Sequence, residues 1–405
     1  MSEDDSYRTS TQYKFWSFTP ESLAALRADT NAAAAERVKA AIARHRAARR
    51  AEGHGAGSNG ADTSASASDS DAEIDCLTPE EELKLVQYYS YNILQSSVGI
   101  ASKGFNIPIR VQATAVQYLK RFYLTNSPMT YHPKHIVPTA LYFATKTENH
   151  SITVSAFAEL AGQSEEKILA SECLMFQVLR FNLDVRHPHR GLRGAYMELL
   201  ALAAGEGAVV PGTSKTPKEL QEELRRLPLR GNEPPAEQSD DAVQKRIGNA
   251  YALASNILKD SALLTDAYFH YTPSQIMFAS LYLADPVLFS WYLETKFPSG
   301  TAVPDPKFLK ITVTIKRCAE LLRDGAKAAD FQTDASRQEL KRIGKKLHFC
   351  QNPEKKDLEG LNRAAKRDGQ VEGALDERER KRRKLERERN EQEGHELFGG
   401  ALKKE

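Results

Sequence analysis

Two histidine pairs are the first places to look for chemistry. His187 and His189 stand two apart, and His132 and His135 stand three apart beside Pro133. Imidazoles can ligate a metal or carry a proton, but a metal site needs further Cys, His or carboxylate ligands converging on it. No such cluster accompanies either pair, and residues two apart on a helix face different ways. The first pair therefore reads as ordinary polar histidines and the second as helix-start and surface residues. Cys76, Cys173, Cys318 and Cys350 are widely separated and none has metal-ligand spacing, which implies a reducing compartment and no metal site. The glycine-rich loops of nucleotide enzymes, HExxH, GxSxG and the kinase catalytic loop are all absent. A chain without a catalytic constellation is expected to bind other proteins and to need no cofactor.

Three charged clusters could serve binding. Lys120 and Arg121 interrupt an apolar helix, as a binding surface or as side chains snorkelling at its rim. Lys146, Glu148 and Asn149 follow a buried run, as a contact surface or an ordinary helix end. Lys381, Arg382, Arg383 and Lys384 form a basic cluster suited to nuclear import or simply to solvation. The glutamates around it would repel a phosphate backbone, so no direct nucleic-acid binding is expected. The net charge of +2 adds no long-range pull toward DNA or membrane. Ser68 and Ser70 lie beside acids and are possible phosphorylation sites or plain loop residues. No run of 18 apolar residues occurs and the N-terminus is polar, so the expectation is a soluble intracellular chain with no membrane contact.

The elements that must position these residues read as helices throughout. Thr19, Pro20 and Glu21 give an N-cap, a first-turn proline and a first-turn acid, opening a helix over 19–46 that docks by a thin apolar stripe. Thr78, Pro79 and Glu81 make a capping box for the next. Further helices are predicted near 109–123, from 133, at 153–160 and at 165–180. A second set is predicted at 187–203, 240–260, 273–284, 286–296 and 306–324, and a last helix at 336–349. Residues 131–144, YHPKHIVPTALYFA, return as YTPSQIMFASLYLA at 271–284. Such an alanine-rich apolar run is too long for a strand and suits a helix buried on most sides. Its return, with a second capping box at Thr272 and Gln275, implies that a whole five-helix domain is repeated. No period-2 alternation supports a sheet.

The fold class expected is all-α: tandem five-helix repeats with flanking N- and C-terminal helices. The segments are 1–50 with the N-terminal helix, a disordered insertion at 51–76, a first repeat at 77–185 and a second at 186–325 with its own insertion at 205–238. A C-terminal helix at 326–350 and a charged, largely disordered tail at 351–405 complete the chain.

Two five-helix repeats resemble the cyclin family. The stretches YRTSTQYKFWSFT (7–19), LRADTN (26–31), YLKRFYLTNSPMTYHPKHI (118–136) and LTDAYFHYTPSQI (264–276) resemble cyclin H in particular, of a fungal type with extra insertions. The resemblance implies a non-catalytic regulatory subunit of the cyclin-dependent-kinase-activating kinase. Its implied partners are a kinase catalytic subunit, a RING-type assembly factor and core TFIIH, in the nucleus. The kinase would act on cell-cycle kinase activation loops and on the C-terminal repeats of RNA polymerase II. The first repeat would press the kinase's αC helix inward and complete its Lys–Glu pair.

The family brackets αC with a lysine and a glutamate. By resemblance these fall on Lys103 and on Asn149, a departure with Glu148 one residue before it. Phe105, Ile107 and Ile109 with the 123–131 segment, including Tyr123, are expected to carry the rest, alongside Lys120 and Lys146. Alternatives are another transcriptional cyclin (Mediator or elongation kinase), a TFIIB-like core, or a helical scaffold without a kinase. The zinc ribbon and basic second repeat of a TFIIB-like protein are missing.

Overall fold

The computed structural model describes residues 7–55, 75–101, 107–207, 215–229, 237–297, 306–328 and 330–351. Lys103, Phe105, Ser68, Ser70 and the 381–384 cluster lie outside them. Among the described residues every regular element is a helix.

A short helix α1 (Thr11–Trp16) precedes the long α2 (Pro20–Gly55). The first repeat comprises α3 (Pro79–Ala101), α4 (Ile109–Thr125), α5 (Pro133–Thr147), α6 (Val154–Ala161), α7 (Glu165–Ala170) and α8 (Glu172–Val178). The capping box at Thr78 forms as expected: its backbone N–H donates to Glu81, and Glu81 N–H donates to Thr78 Oγ1 at 3.3 Å. The single helix expected over 165–180 is instead broken at Ser171. Thr139 Oγ1 donates to the Ile168 carbonyl at 2.7 Å, competing for the acceptor that the Glu172 amide would use in a continuous helix.

The second repeat comprises α9 (His189–Ala203), α10 (Pro217–Arg225), α11 (Asp240–Lys259), the single turns α12 (Ser261–Leu264) and α13 (Ala267–His270), α14 (Pro273–Ala284), α15 (Pro286–Lys296) and α16 (Pro306–Ala328). The last helix is α17 (Asp334–Cys350). The two repeated segments are α5 and α14. Each packs against most other helices of its own repeat: α5 against α3, α4, α6, α7 and α8, and α14 against α9, α11, α13, α15 and α16. That central position explains the near-continuous apolar sequence, because few faces of either helix reach water.

One apolar core runs through both repeats, from Val86 and Phe122 to Ile276 and Leu322. Two smaller clusters attach the flanking helices. Ala34 and Val38 of α2 meet Leu77, Leu85, Ile343, Leu347 and Cys350, so the N- and C-terminal helices share one cluster with α3. Trp16 and Leu23 meet Leu124 of the first repeat and Phe269 of the second.

The Lys120–Arg121 pair is not a surface. Lys120 is 3% and Arg121 2% exposed. Lys120 Nζ donates to the Thr265 and Leu263 carbonyls and lies 3.7 Å from Asp266. Asp266 accepts a two-pronged bond from Arg27 of α2 at 2.7 and 2.8 Å. The Arg121 guanidinium lies 5.0 Å from the Trp16 ring centroid. These two cations weld the first repeat to the second and to the N-terminal segment. Their burial is sustained by carbonyls, a carboxylate and an aromatic face.

Candidate protein-binding site

The residues expected at a contact surface separate into two groups. Ile107, Lys120 and Tyr123 are interior, at 2%, 3% and 7% exposure, and are corrected to structural roles. Tyr123 spends its hydroxyl on the Tyr131 carbonyl at 2.7 Å. Helix α4 is buried on nearly every face because α3 and α5 pack against it and α2 crosses it.

Lys146, Glu148 and Asn149 lie together where α5 ends. Asn149 has φ of 55°, and the His150 amide donates to the Thr145 carbonyl at 2.9 Å. This is a left-handed helix stop, a conformation that asparagine accepts better than most residues. Asn149 therefore terminates the helix and remains exposed at its end. The turn directs Glu148 inward: its carboxylate is 6% exposed, accepts from Thr114 Oγ1 at 2.6 Å and pairs with the Arg110 guanidinium. Arg110 is 71% exposed and is the outward member of that pair.

Lys146 is the other outward cation. Its ammonium pairs with Glu172 at the start of α8 and lies 5.0 Å from the Tyr142 ring centroid. Lys103, the other half of the expected bracket, lies outside the described residues; the lysine–glutamate pair that the described surface shows is Lys146 with Glu172. Sequence reasoning missed Glu172 because 26 positions separate the two, with no periodic signal linking them. From this pair an aromatic row leads outward: Phe143 to Phe176 at 5.8 Å, and Phe176 to Phe181 at 4.7 Å. Phe181 is 64% exposed and, like Arg180 before it, has a left-handed backbone with φ of 57° and 54° respectively. Such backbone costs an L-residue roughly 1–2 kcal/mol, and strain of this kind gathers at functional positions. Arg180 stacks over Phe15 and Trp16 of α1.

The face formed by the ends of α5 and α8 is a candidate protein contact surface: the Lys146–Glu172 pair, the outward Arg110 and the exposed Phe181. No described group of three His, Cys, Asp or Glu side chains could hold a metal, and no described helix is long and apolar enough to cross a membrane.

Residues 92–184 match the cyclin N-terminal domain model and 187–323 the cyclin C-terminal domain model. The chain is 33% identical to cyclin CCL1 of Saccharomyces cerevisiae over 74% of its length, a match spanning 63% of that relative. It is 28% identical to cyclin-H1-1 of Arabidopsis thaliana, covering 71% of this chain and 74% of the relative. Among solved structures, a chain of the Chaetomium thermophilum CAK complex bound to ATP-γ-S aligns with TM-score 0.68 and 31% identity, over 93% of this chain and 99% of that one. A chain of the yeast TFIIK (Kin28/Ccl1/Tfb3) complex aligns with TM-score 0.50 and 26% identity, over 78% and 100%. With both cyclin domains in order, relatives of the H type and the tandem helical fold, the chain belongs to the cyclin family, on its cyclin H branch.

Proposed function

We propose that this cyclin binds and activates a cyclin-dependent kinase of the CDK-activating, TFIIH type. It supports phosphorylation of CDK activation loops and of the RNA polymerase II C-terminal domain, supplying no catalytic residue itself. The observation that carries this reading is the outward face of the first repeat, which bears the Lys146–Glu172 pair, the exposed Arg110 and the exposed Phe181. A kinase helix seated there would bury the phenylalanine and engage the fixed charges. Its shift toward the active arrangement would follow from that differential contact. The likeness to chains of the CAK and TFIIK complexes supports a kinase and a third, RING-type subunit as partners. Association with core TFIIH, nuclear residence and an import role for Lys381, Arg382, Arg383 and Lys384 belong to the same proposal.

The test is co-purification of the tagged chain from nuclear extract, with a kinase assay on a heptad-repeat peptide. Recovery of a kinase with a RING subunit, and heptad phosphorylation that falls when residues 1–46 are removed, is the expected result. Recovery of a Mediator or elongation kinase would place the chain with another class of transcriptional cyclin, and recovery of no kinase would refute the proposal.

A further inference from the structure

His187 lies in the connection between the repeats, and both its ring nitrogens are occupied. Nε2 is 2.9 Å from Thr114 Oγ1 on α4, and Nδ1 is 3.0 Å from the Tyr268 hydroxyl on α13. Thr114 in turn donates to Glu148, which pairs with Arg110. The proton inventory gives this chain a single direction. A threonine hydroxyl has one proton, and the carboxylate takes it. His187 must then donate from Nε2, which leaves Nδ1 to accept from Tyr268. Burial, with His189, Arg110 and Arg121 nearby, holds His187 well below the ordinary imidazole range, so the ring is neutral as this arrangement requires. Burial also raises the Tyr268 phenol, keeping its proton in place.

We propose that Tyr268, His187 and Thr114 are positioning residues through which the second repeat fixes Glu148 and thereby aims the Arg110 guanidinium outward, toward an acidic group on the kinase. The proposal rests on the kinase-binding reading above and deepens it. Arg110 alone would be a mobile surface arginine. Ion-paired with a carboxylate that is itself held, its head group is kept near one place, with N–H donors left for a carboxylate or phosphate acceptor. Tyr268 stands two residues from Asp266, which Arg27 grips, so the N-terminal helix and the second repeat both bear on this contact.

The test is a titration of the co-expressed kinase complex with wild-type cyclin and the variants Thr114→Val, Thr114→Ser, Tyr268→Phe, Arg110→Ala and the double Arg110→Ala/Thr114→Val. Thr114→Val should raise the concentration for half-maximal activation about tenfold, since a hydrogen bond to a charged group is lost. Its saturating rate should be unchanged. Thr114→Ser should recover wild-type behaviour, and Tyr268→Phe should fall between them. The double variant should lose no more than Arg110→Ala alone. A Thr114→Val effect that adds fully to Arg110→Ala would overturn the proposal, as would unchanged half-activation in Thr114→Val or Arg110→Ala with wild type active. Tyr268→Phe and Thr114→Ser keep the test open should Thr114→Val fold poorly. Failure of the wild-type chain to activate any kinase would instead overturn the functional reading, and the positioning role with it.

Discussion

Replacing Glu82 by glutamine should remove part of the protein's pH dependence. Glu82 lies in the first turn of α3 beneath the N-terminal helix, 8% exposed, where its carboxyl accepts from Ser127 Oγ and meets Asn31. Burial pushes it from an ordinary 4.5 up to about 7. The folded protein therefore holds this proton more tightly than the unfolded chain does. Its contribution is fully present below about pH 4.5 and is lost as the pH rises through about 7. At 1.36 kcal/mol per pKa unit, the loss between about pH 4 and pH 8 is about 3 kcal/mol. Glutamine keeps the shape and an acceptor for Ser127 but does not titrate. Urea unfolding of both proteins from about pH 5 to pH 8.5 isolates the effect, because every other titrating group is shared. The wild type should fall behind Glu82→Gln progressively, by up to about 3 kcal/mol at the alkaline end. A difference that stays flat, or a wild type that gains on the variant as pH rises, would show that the site prefers the carboxylate and refute the reasoning.

Arg27→Ala should cost about 3 kcal/mol in denaturant unfolding, because it strips the largely buried Asp266 of its two-pronged partner. Burial alone would raise Asp266, but Arg27 and Lys120 outweigh it and hold it at about 2. Its contribution is thus present above about pH 4 and should fade as pH falls through about 2 in the wild type but not in the variant. Glu172→Lys should change stability by only about 1 kcal/mol, since its ion pair is partly exposed to solvent, yet raise the cyclin concentration for half-maximal kinase activation about tenfold or more. Phe181→Gly relieves left-handed backbone while losing the Phe176 contact, so calorimetry should find stability within about 1 kcal/mol of wild type. Kinase affinity by titration should nonetheless drop.

The repeat architecture was legible because its signals are local. Capping residues such as Thr78 with Glu81 and Thr272 with Gln275 mark helix starts, and the apolar runs of α5 and α14 announce burial. The site was less legible because its pairings are long-range. Lysine inside an apolar helix reads equally well as a rim residue. Only the fold shows that Lys120 meets carbonyls more than 140 positions away. Asn149 attracted attention as a missing charge, whereas its φ makes it the stop signal that turns Glu148 inward. Glu172 carried no mark of its own, since its meaning comes from Lys146. Nothing local distinguishes His187 from an ordinary polar residue, because neither Thr114 nor Tyr268 is near it in sequence.

The grip of Arg27 on Asp266 joins residues 239 positions apart, and Trp16 and Leu23 likewise wait for Phe269. On a translating ribosome at about 5–20 residues per second, Arg27 is made roughly 12–48 s before its second-repeat partner Asp266. During that interval the apolar stripe of the N-terminal helix has only the first repeat to lean on. The last cluster, built from Ala34, Val38, Ile343 and Leu347, closes later still. The first segment synthesised is thus among the last to be secured, and a chain truncated before Asp266 emerges without the second-repeat contacts that fasten its beginning.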